Sequence, residues 1–389
     1  MIITIHRGTH QIGGCITEIK TDNARIFIDM GEELPGTESA AGFEIDGITT
    51  EPANCDAVFI THYHGDHIGL YKKVLPDILI YMGEVARELF LALSIRIKDH
   101  GEQRIRDFKT FKALDKIVIE DLIVTPLLVD HSAFDAYMFL IESGGKRILH
   151  TGDFRVHGFR GKAVIPTLKK YVGTVDVLIT EGTSLSRESK TLLEEAELQM
   201  LAKHMLADYK YVFVLCASTN IDRIAAFYHA TPRGKYFVCD DYQKKILDIV
   251  TKHAKDKTPL YNFQKVITYG SNMDDKFRER GFCMLVRSND YFNQIMQKFP
   301  DAAFLYSMWE GYRNGKNRNE AIMNFTSNYD FQPFHTSGHA SKTAIKVVCD
   351  TVKPKVGVIP IHSEAPHNMD NLNMGYCIRY LADKEAFSF

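Results

Sequence analysis

Within six residues, His62-Tyr63-His64-Gly65-Asp66-His67, the chain offers three imidazoles and one carboxylate. Imidazole nitrogen and carboxylate oxygen are donors that suit zinc and similar divalent ions. The cluster directly follows the apolar run Ala57-Val58-Phe59-Ile60 and has donors enough for two ions. Two neighbouring ions form a clamp for hydrolysis at phosphorus or at a carbonyl. Such a centre needs further ligands from elsewhere, and candidates stand where other apolar runs end. His131 follows Leu127-Leu128-Val129-Asp130, and Asp153 lies in His150-Thr151-Gly152-Asp153. Glu181 lies in Thr180-Glu181-Gly182-Thr183-Ser184, His339 in Ser337-Gly338-His339-Ala340, and His362 in Pro360-Ile361-His362-Ser363-Glu364. Taken singly, each has an ordinary explanation: a satisfied strand-end histidine, a turn aspartate, a solvated glutamate. Their occurrence together with the first cluster reverses that reading.

The elements that must position these groups are legible as a recurring unit. A short apolar run stops abruptly in polar, Gly-containing sequence at 57–60, 147–149, 175–179, 211–215 and 355–361. Buried strands with functional residues on the loops at their ends give this pattern. Segments 15–20 and 25–29 flank a Thr21-Asp22-Asn23 turn and predict a hairpin. Residues 191–209 predict a helix, with Leu192, Ala196, Leu201 and Met205 on its apolar face. Strands alternating with helices indicate α/β architecture, and a domain boundary is expected near 188–190. Ser218-Thr219-Asn220 and Ser337-Gly338 each precede a candidate helix. Hydroxyls and backbone N–H groups at helix starts suit phosphate, and plain N-capping is the equal alternative. Basic residues at 155, 160, 162, 169 and 170, and at 313, 316 and 318, either track a nucleic-acid backbone or form a solvated face. Trp309 and Tyr312 offer stacking surfaces or core packing.

Size and composition bound the rest. A chain of 389 residues holds one large or two medium domains. Hydrophobic content of 45%, charged content of 25% and a net charge of −2 are those of a globular enzyme. They exclude a nonspecific nucleic-acid coat protein but permit a local basic groove. Seven scattered cysteines without CxxC spacing read as reduced, mostly buried thiols. No signal-peptide layout opens the chain and no apolar run reaches membrane-spanning length, so a cytoplasmic location without membrane contact is expected. The sequence selects no oligomeric state.

The ordered motifs His62-x-His64-x-Asp66-His67, His131 and Asp153 resemble those of the metallo-β-lactamase superfamily. Glu181, His339 and His362 resemble the three additional motifs of its nucleic-acid-processing β-CASP branch. Ser-Gly-His-Ala at 337–340, Ala-Ser-Thr-Asn at 217–220 and Pro-x-His-x-Glu at 360–364 bring the likeness nearest to the catalytic core of the ribonuclease J family and its archaeal relatives. The resemblance implies an α/β metallo-β-lactamase αββα sandwich (1–190 and 336–389) with an inserted α/β β-CASP domain (191–335). It implies that His62, His64 and His131 bind a first divalent ion, Asp66, His67 and His362 bind a second, and Asp153 bridges them, with zinc preferred and manganese the alternative. Asp66, Glu181 and His339 are the implied catalytic groups. Glu181 orients its neighbours or the attacking water, and His339 contacts the scissile phosphate. Ser218, Thr219, Asn220, Ser337, Gly338 and His339 are the candidate phosphate-binding residues. The implied reaction is hydroxide attack on the phosphorus of single-stranded RNA. RNA enzymes of the branch carry His at the last motif and DNA-repair relatives carry Val; this chain has His362. A DNA nuclease, a plain thioester or lactone hydrolase, and a non-catalytic binding subunit are the alternatives. The family's additional C-terminal domain is not expected, since Phe389 follows soon after His362, and neither is dimerisation by that route.

Overall fold

A computed structural model describes residues 1–34, 43–187, 192–315 and 317–389. The boundary expected at 188–190, residue 191 of the expected helix and Lys316 lie outside the described residues. The chain divides into two compact units, Met1–Thr191 with Gly338–Phe389, and Leu192–Ser337.

The first unit stacks a seven-stranded sheet against a six-stranded one. Strand Ala136–Ser143 shows why its residues alternate. Tyr137, Phe139 and Ile141 enter the core between the sheets, beside Ile5, Ile26, Phe59 and Ile179. Ala136, Met138 and Leu140 face the other way, toward Val164 of helix Gly161–Thr167 and Ile345 and Val348 of helix Lys342–Val352. A strand's period of two supplies both cores at once. Helix Glu84–Ile97 packs on strand Leu79–Gly83 of the seven-stranded sheet. The result is the αββα sandwich, interrupted in sequence by an inserted α/β unit.

Strand direction places the candidate ligands. Lys146–His150 runs parallel to Val177–Glu181, which runs parallel to Gly357–Ile361. Leu122–Val129 opposes Ala136–Ser143, which opposes Lys146–His150. Leu122–Val129, Lys146–His150, Val177–Glu181 and Gly357–Ile361 therefore end on one edge, where Ala136–Ser143 begins, and they deliver His131, Asp153, Glu181 and His362. Ligands of open α/β sheets gather at such carboxyl ends. In the other sheet Arg25–Ile28 and Ala57–Phe59 are parallel and deliver Asp29 and His62.

The second unit is a six-stranded sheet, parallel throughout, in the order Val266–Thr268, Tyr236–Cys239, Phe282–Val286, Tyr211–Cys216, Ala303–Ser307, Phe331–Pro333. Its central strands are apolar on both faces, as parallel strands covered by helices must be.

Four expectations need correction. The helix expected over 191–209 spans Glu195–Asp208, because Glu194 and Glu197 form a capping box that fixes its start. Its buried face is Glu195, Leu198, Ala202 and Leu206, with Ala196 and Leu201 turned outward. The inward turn of a glutamate hid that stripe. Arg155 is fully buried and paired with Asp130 at 3.2 Å, so it cannot follow a phosphate backbone; Lys162, Lys169 and Lys170 are exposed. The helix after Ser337-Gly338 begins at Lys342 and is capped by Ser341. Asn220 does cap helix Ile221–Ala230, its side chain accepting from Arg223 N. Trp309 and Tyr312 stand edge to face at 5.4 Å, both half-buried. No helix among the described residues is long and apolar enough to cross a membrane.

Candidate metal centre

Three nitrogens converge below the loop that follows Ala57–Phe59. His64 Nδ1 lies 3.1 Å from His62 Nε2 and 3.2 Å from His131 Nε2. Nitrogens at 2.0–2.1 Å from one tetrahedral ion would stand about 3.3 Å apart, so the spacing fits. Partners on the far side of each ring fix its tautomer. His131 Nδ1 donates to the Gly338 carbonyl at 2.7 Å, which can only accept. The Thr61 hydroxyl donates to Asp29 at 2.8 Å and so accepts from His62 Nδ1 at 3.0 Å. Both rings therefore turn a lone pair inward. Burial, then the neighbouring imidazoles, pushes His62 and His131 well below the usual histidine range, and burial lowers His64 to about 4. Neutral imidazoles are what a metal requires.

A second group lies beside the first. Asp66 Oδ2 is 3.2 Å from His362 Nε2. His67 Nδ1 donates to Asp29 Oδ2 at 2.7 Å, and His362 Nδ1 meets the Thr183 hydroxyl at 2.7 Å. Between the groups sits Asp153, 2% exposed. Its Oδ2 is approached by His67 Nε2 at 3.2 Å, His339 Nδ1 at 3.5 Å, His362 Nε2 at 3.8 Å and His62 Nε2 at 4.0 Å. Among the described residues, both Asp153 oxygens and His67 Nε2 are buried without a hydrogen-bond partner. Buried polar atoms left in this state are costly, and a cation among them removes the cost. The donor set thus fits divalent metal. Burial alone would raise Asp153, but the His362, His67 and His339 imidazoles hold it well below the carboxylate range. Burial likewise opposes charge on His67, and Asp153 and Asp29 outweigh it, raising that ring well above its usual value. The position favours positive charge.

Glu181 is fully buried and committed. Its Oε1 accepts from Phe154 N at 2.9 Å and Ala340 N at 3.2 Å, and Oε2 faces His339 Nδ1 at 3.1 Å. It therefore ties the Asp153 loop to the His339 segment. Gly338 serves His131 through its carbonyl, and a Cβ there would stand 2.4 Å from Ser132 Oγ. Gly338 and His339 lie in the first unit; Ser218, Thr219, Asn220 and Ser337 lie in the second.

Two groups escaped the reading of the sequence. Asp29 ends an apolar strand as the named candidates do, but its partner His67 is 38 residues away, so nothing local marks it. Thr183 stands within a quoted motif and holds His362. Asp29 and His362 have left-handed φ of 64° and 54°, a conformation costing non-glycine residues roughly 1–3 kcal/mol when strongly strained and concentrated at functional sites. Asp29→Ala should weaken metal retention about 10–100-fold, as loss of an outer partner does. Metal content after dialysis against graded chelator checks this; unchanged retention would make the Asp29 contact incidental.

Residues 19–198 match the Metallo-beta-lactamase superfamily model. Ribonuclease J of Helicobacter pylori (strain ATCC 700392 / 26695) is 23% identical over 395 residues, covering 94% of this chain and 56% of that protein. Ribonuclease J of Mycoplasma genitalium is 21% identical over 384 residues, covering 92% of this chain and 67% of that one. The chain spans little more than half the length of the Helicobacter relative. A crystal structure of a protein of unknown function from Enterococcus faecalis V583 superposes with a TM-score of 0.79 at 19% identity, covering 99% of both chains; this likeness concerns the fold. The chain is thus similar to the metallo-β-lactamase superfamily over residues 19–198 and to ribonuclease J over more than nine-tenths of its length.

Proposed function

We propose that the protein is a cytoplasmic, metal-dependent phosphodiester hydrolase acting on single-stranded RNA, and that the inserted unit is a β-CASP domain. The observation that carries this reading is Asp153, a buried carboxylate ringed by four imidazole nitrogens within 4.0 Å, in a chain resembling ribonuclease J. His62, His64 and His131 would hold one ion, and Asp66, His67 and His362 the other, with Asp153 between them and zinc the favoured metal. Bound there, the ions supply a nucleophile at neutral pH and positive charge opposite the reacting phosphate.

The chain's own groups do the rest. The Thr61, Asp29, Thr183 and Gly338 contacts preset the rings, so no reorganisation accompanies reaction. Asp66 and Asp153 accept a proton or hydrogen bond from the attacking water. His339, 23% exposed, turns Nδ1 to Glu181 at 3.1 Å, and its imidazole would exchange a proton with the departing 3′-oxygen. His339→Ala should lose about 10²–10⁴-fold in turnover, the range of a general acid, while keeping its metal. Loss of metal on that change would make His339 a ligand instead.

The reading is tested with metal-replete protein, 5′-monophosphorylated single-stranded RNA and the matching DNA, products resolved by length. Mononucleotides from RNA identify an exonuclease and discrete fragments an endonuclease; either supports the proposal. Cleavage of DNA alone, or hydrolysis of a chromogenic thioester with both nucleic acids intact, overturns it.

A further inference from the structure

One potential ligand at the centre belongs to none of the recognised motifs. The Cys15 thiol, 1% exposed, lies within 4.8 Å of ligand nitrogens of both His67 and His362. Among the described residues it is the one cysteine in any such cluster. Its place is built by the backbone. Cys15 N donates to Asp66 O at 3.1 Å, and Cys15 O accepts from Gly31 N at 3.1 Å, which locks it against the turn carrying Asp66 and His67. Gly13 and Gly14 precede it with φ of 82° and 66°, a region that glycine enters freely. A Cβ on Gly13 would stand 2.9 Å from Asp66 Cβ and 3.2 Å from Asp66 Oδ2, so only glycine lets this segment lie so close. From the other side, His362 N donates to Gly8 O at 2.7 Å, and a Cβ on Gly8 would stand 3.3 Å from Cys15 Sγ. The same turn thus meets both histidines. Independently, His67 Nε2 is buried without a hydrogen-bond partner among the described residues.

We propose that the Cys15 sulfur is an additional ligand to the cation held by Asp66, His67 and His362. The inference rests on the two-ion reading above. The S–H proton leaves to solvent as the metal–sulfur bond forms. A thiolate is a soft donor that favours zinc over manganese, which prefers oxygen; Cys15 thereby sets the metal preference of this position.

The test is spectroscopic. Metal-stripped protein is titrated with Co2+, and cobalt content is measured beside the near-ultraviolet sulfur-to-cobalt charge-transfer absorption. Wild type should develop the absorption as its second equivalent binds. Cys15→Ser and Cys15→Ala should lose it while still binding cobalt at His62, His64 and His131. Two variants guard against one folding poorly. Undiminished absorption in either variant, or two bound equivalents without it in wild type, overturns the Cys15 assignment alone. A wild type that takes only one equivalent overturns both it and the two-ion reading.

Discussion

Asp153→Asn should abolish RNA cleavage and strip the protein of tightly held metal. The change preserves shape and removes one charge. In an ordinary core position, replacing a buried carboxylate disrupts its hydrogen bonds and destabilises the fold. Asp153 has none to lose: both oxygens are without a hydrogen-bond partner among the described residues, and imidazole nitrogens face one of them. Without metal the His362, His67 and His339 imidazoles offset its charge, and a bound cation takes over that role. The loss of activity should therefore exceed the roughly 10–100-fold that follows removal of an outer partner. Metal at a hundredfold excess over Kd stabilises a folded site by about 2.7 kcal/mol, and that increment should vanish in the variant. Thermal unfolding with and without chelator reads both effects. A variant that keeps its metal and its metal-dependent stabilisation would make Asp153 a structural residue.

The second large effect belongs to the inserted unit. Arg223 and Glu195 are both fully buried and form a two-pronged pair, Nε to Oε2 at 3.0 Å and Nη2 to Oε1 at 2.9 Å. The same guanidinium donates to Ser307 Oγ at 2.5 Å and to the Phe334 carbonyl at 3.2 Å. One side chain thereby joins helices Glu195–Asp208 and Ile221–Ala230 to the ends of two strands. Arg223→Met removes the guanidinium facing the buried Glu195 carboxylate, and breaking such a buried pair costs about 3–5 kcal/mol. Adding Glu195→Leu should recover much of the loss, because replacing both charges with apolar groups of similar size is often neutral. Urea denaturation of the two variants separates these cases. A loss below about 1 kcal/mol, the worth of an exposed pair, would mean that water reaches the site.

The sequence made most of this architecture legible for a physical reason. Buried strands read as unbroken apolar runs, and groups that must converge are placed where those runs stop; His62, His131, Asp153, Glu181 and His362 all follow that rule. Residues acting through distant partners left no local mark. Asp29 gains its meaning from His67, Thr183 from His362, and Glu195 from Arg223. Arg155 misled for the converse reason: its position in a basic run suggested solvent, and its partner Asp130 lies 25 residues away. Cys15 read as one of several inert buried thiols, because the two glycines that press it against Asp66 carry no indication of what they approach.

The central claim is that two ions held by these residues perform RNA hydrolysis. Its most direct test is to strip the protein of metal, return zinc in measured equivalents, and follow cleavage of single-stranded RNA. Activity should be absent under chelation, small at one equivalent and complete at two. RNA cleavage that survives chelation, or that is complete at a single equivalent, would contradict the account.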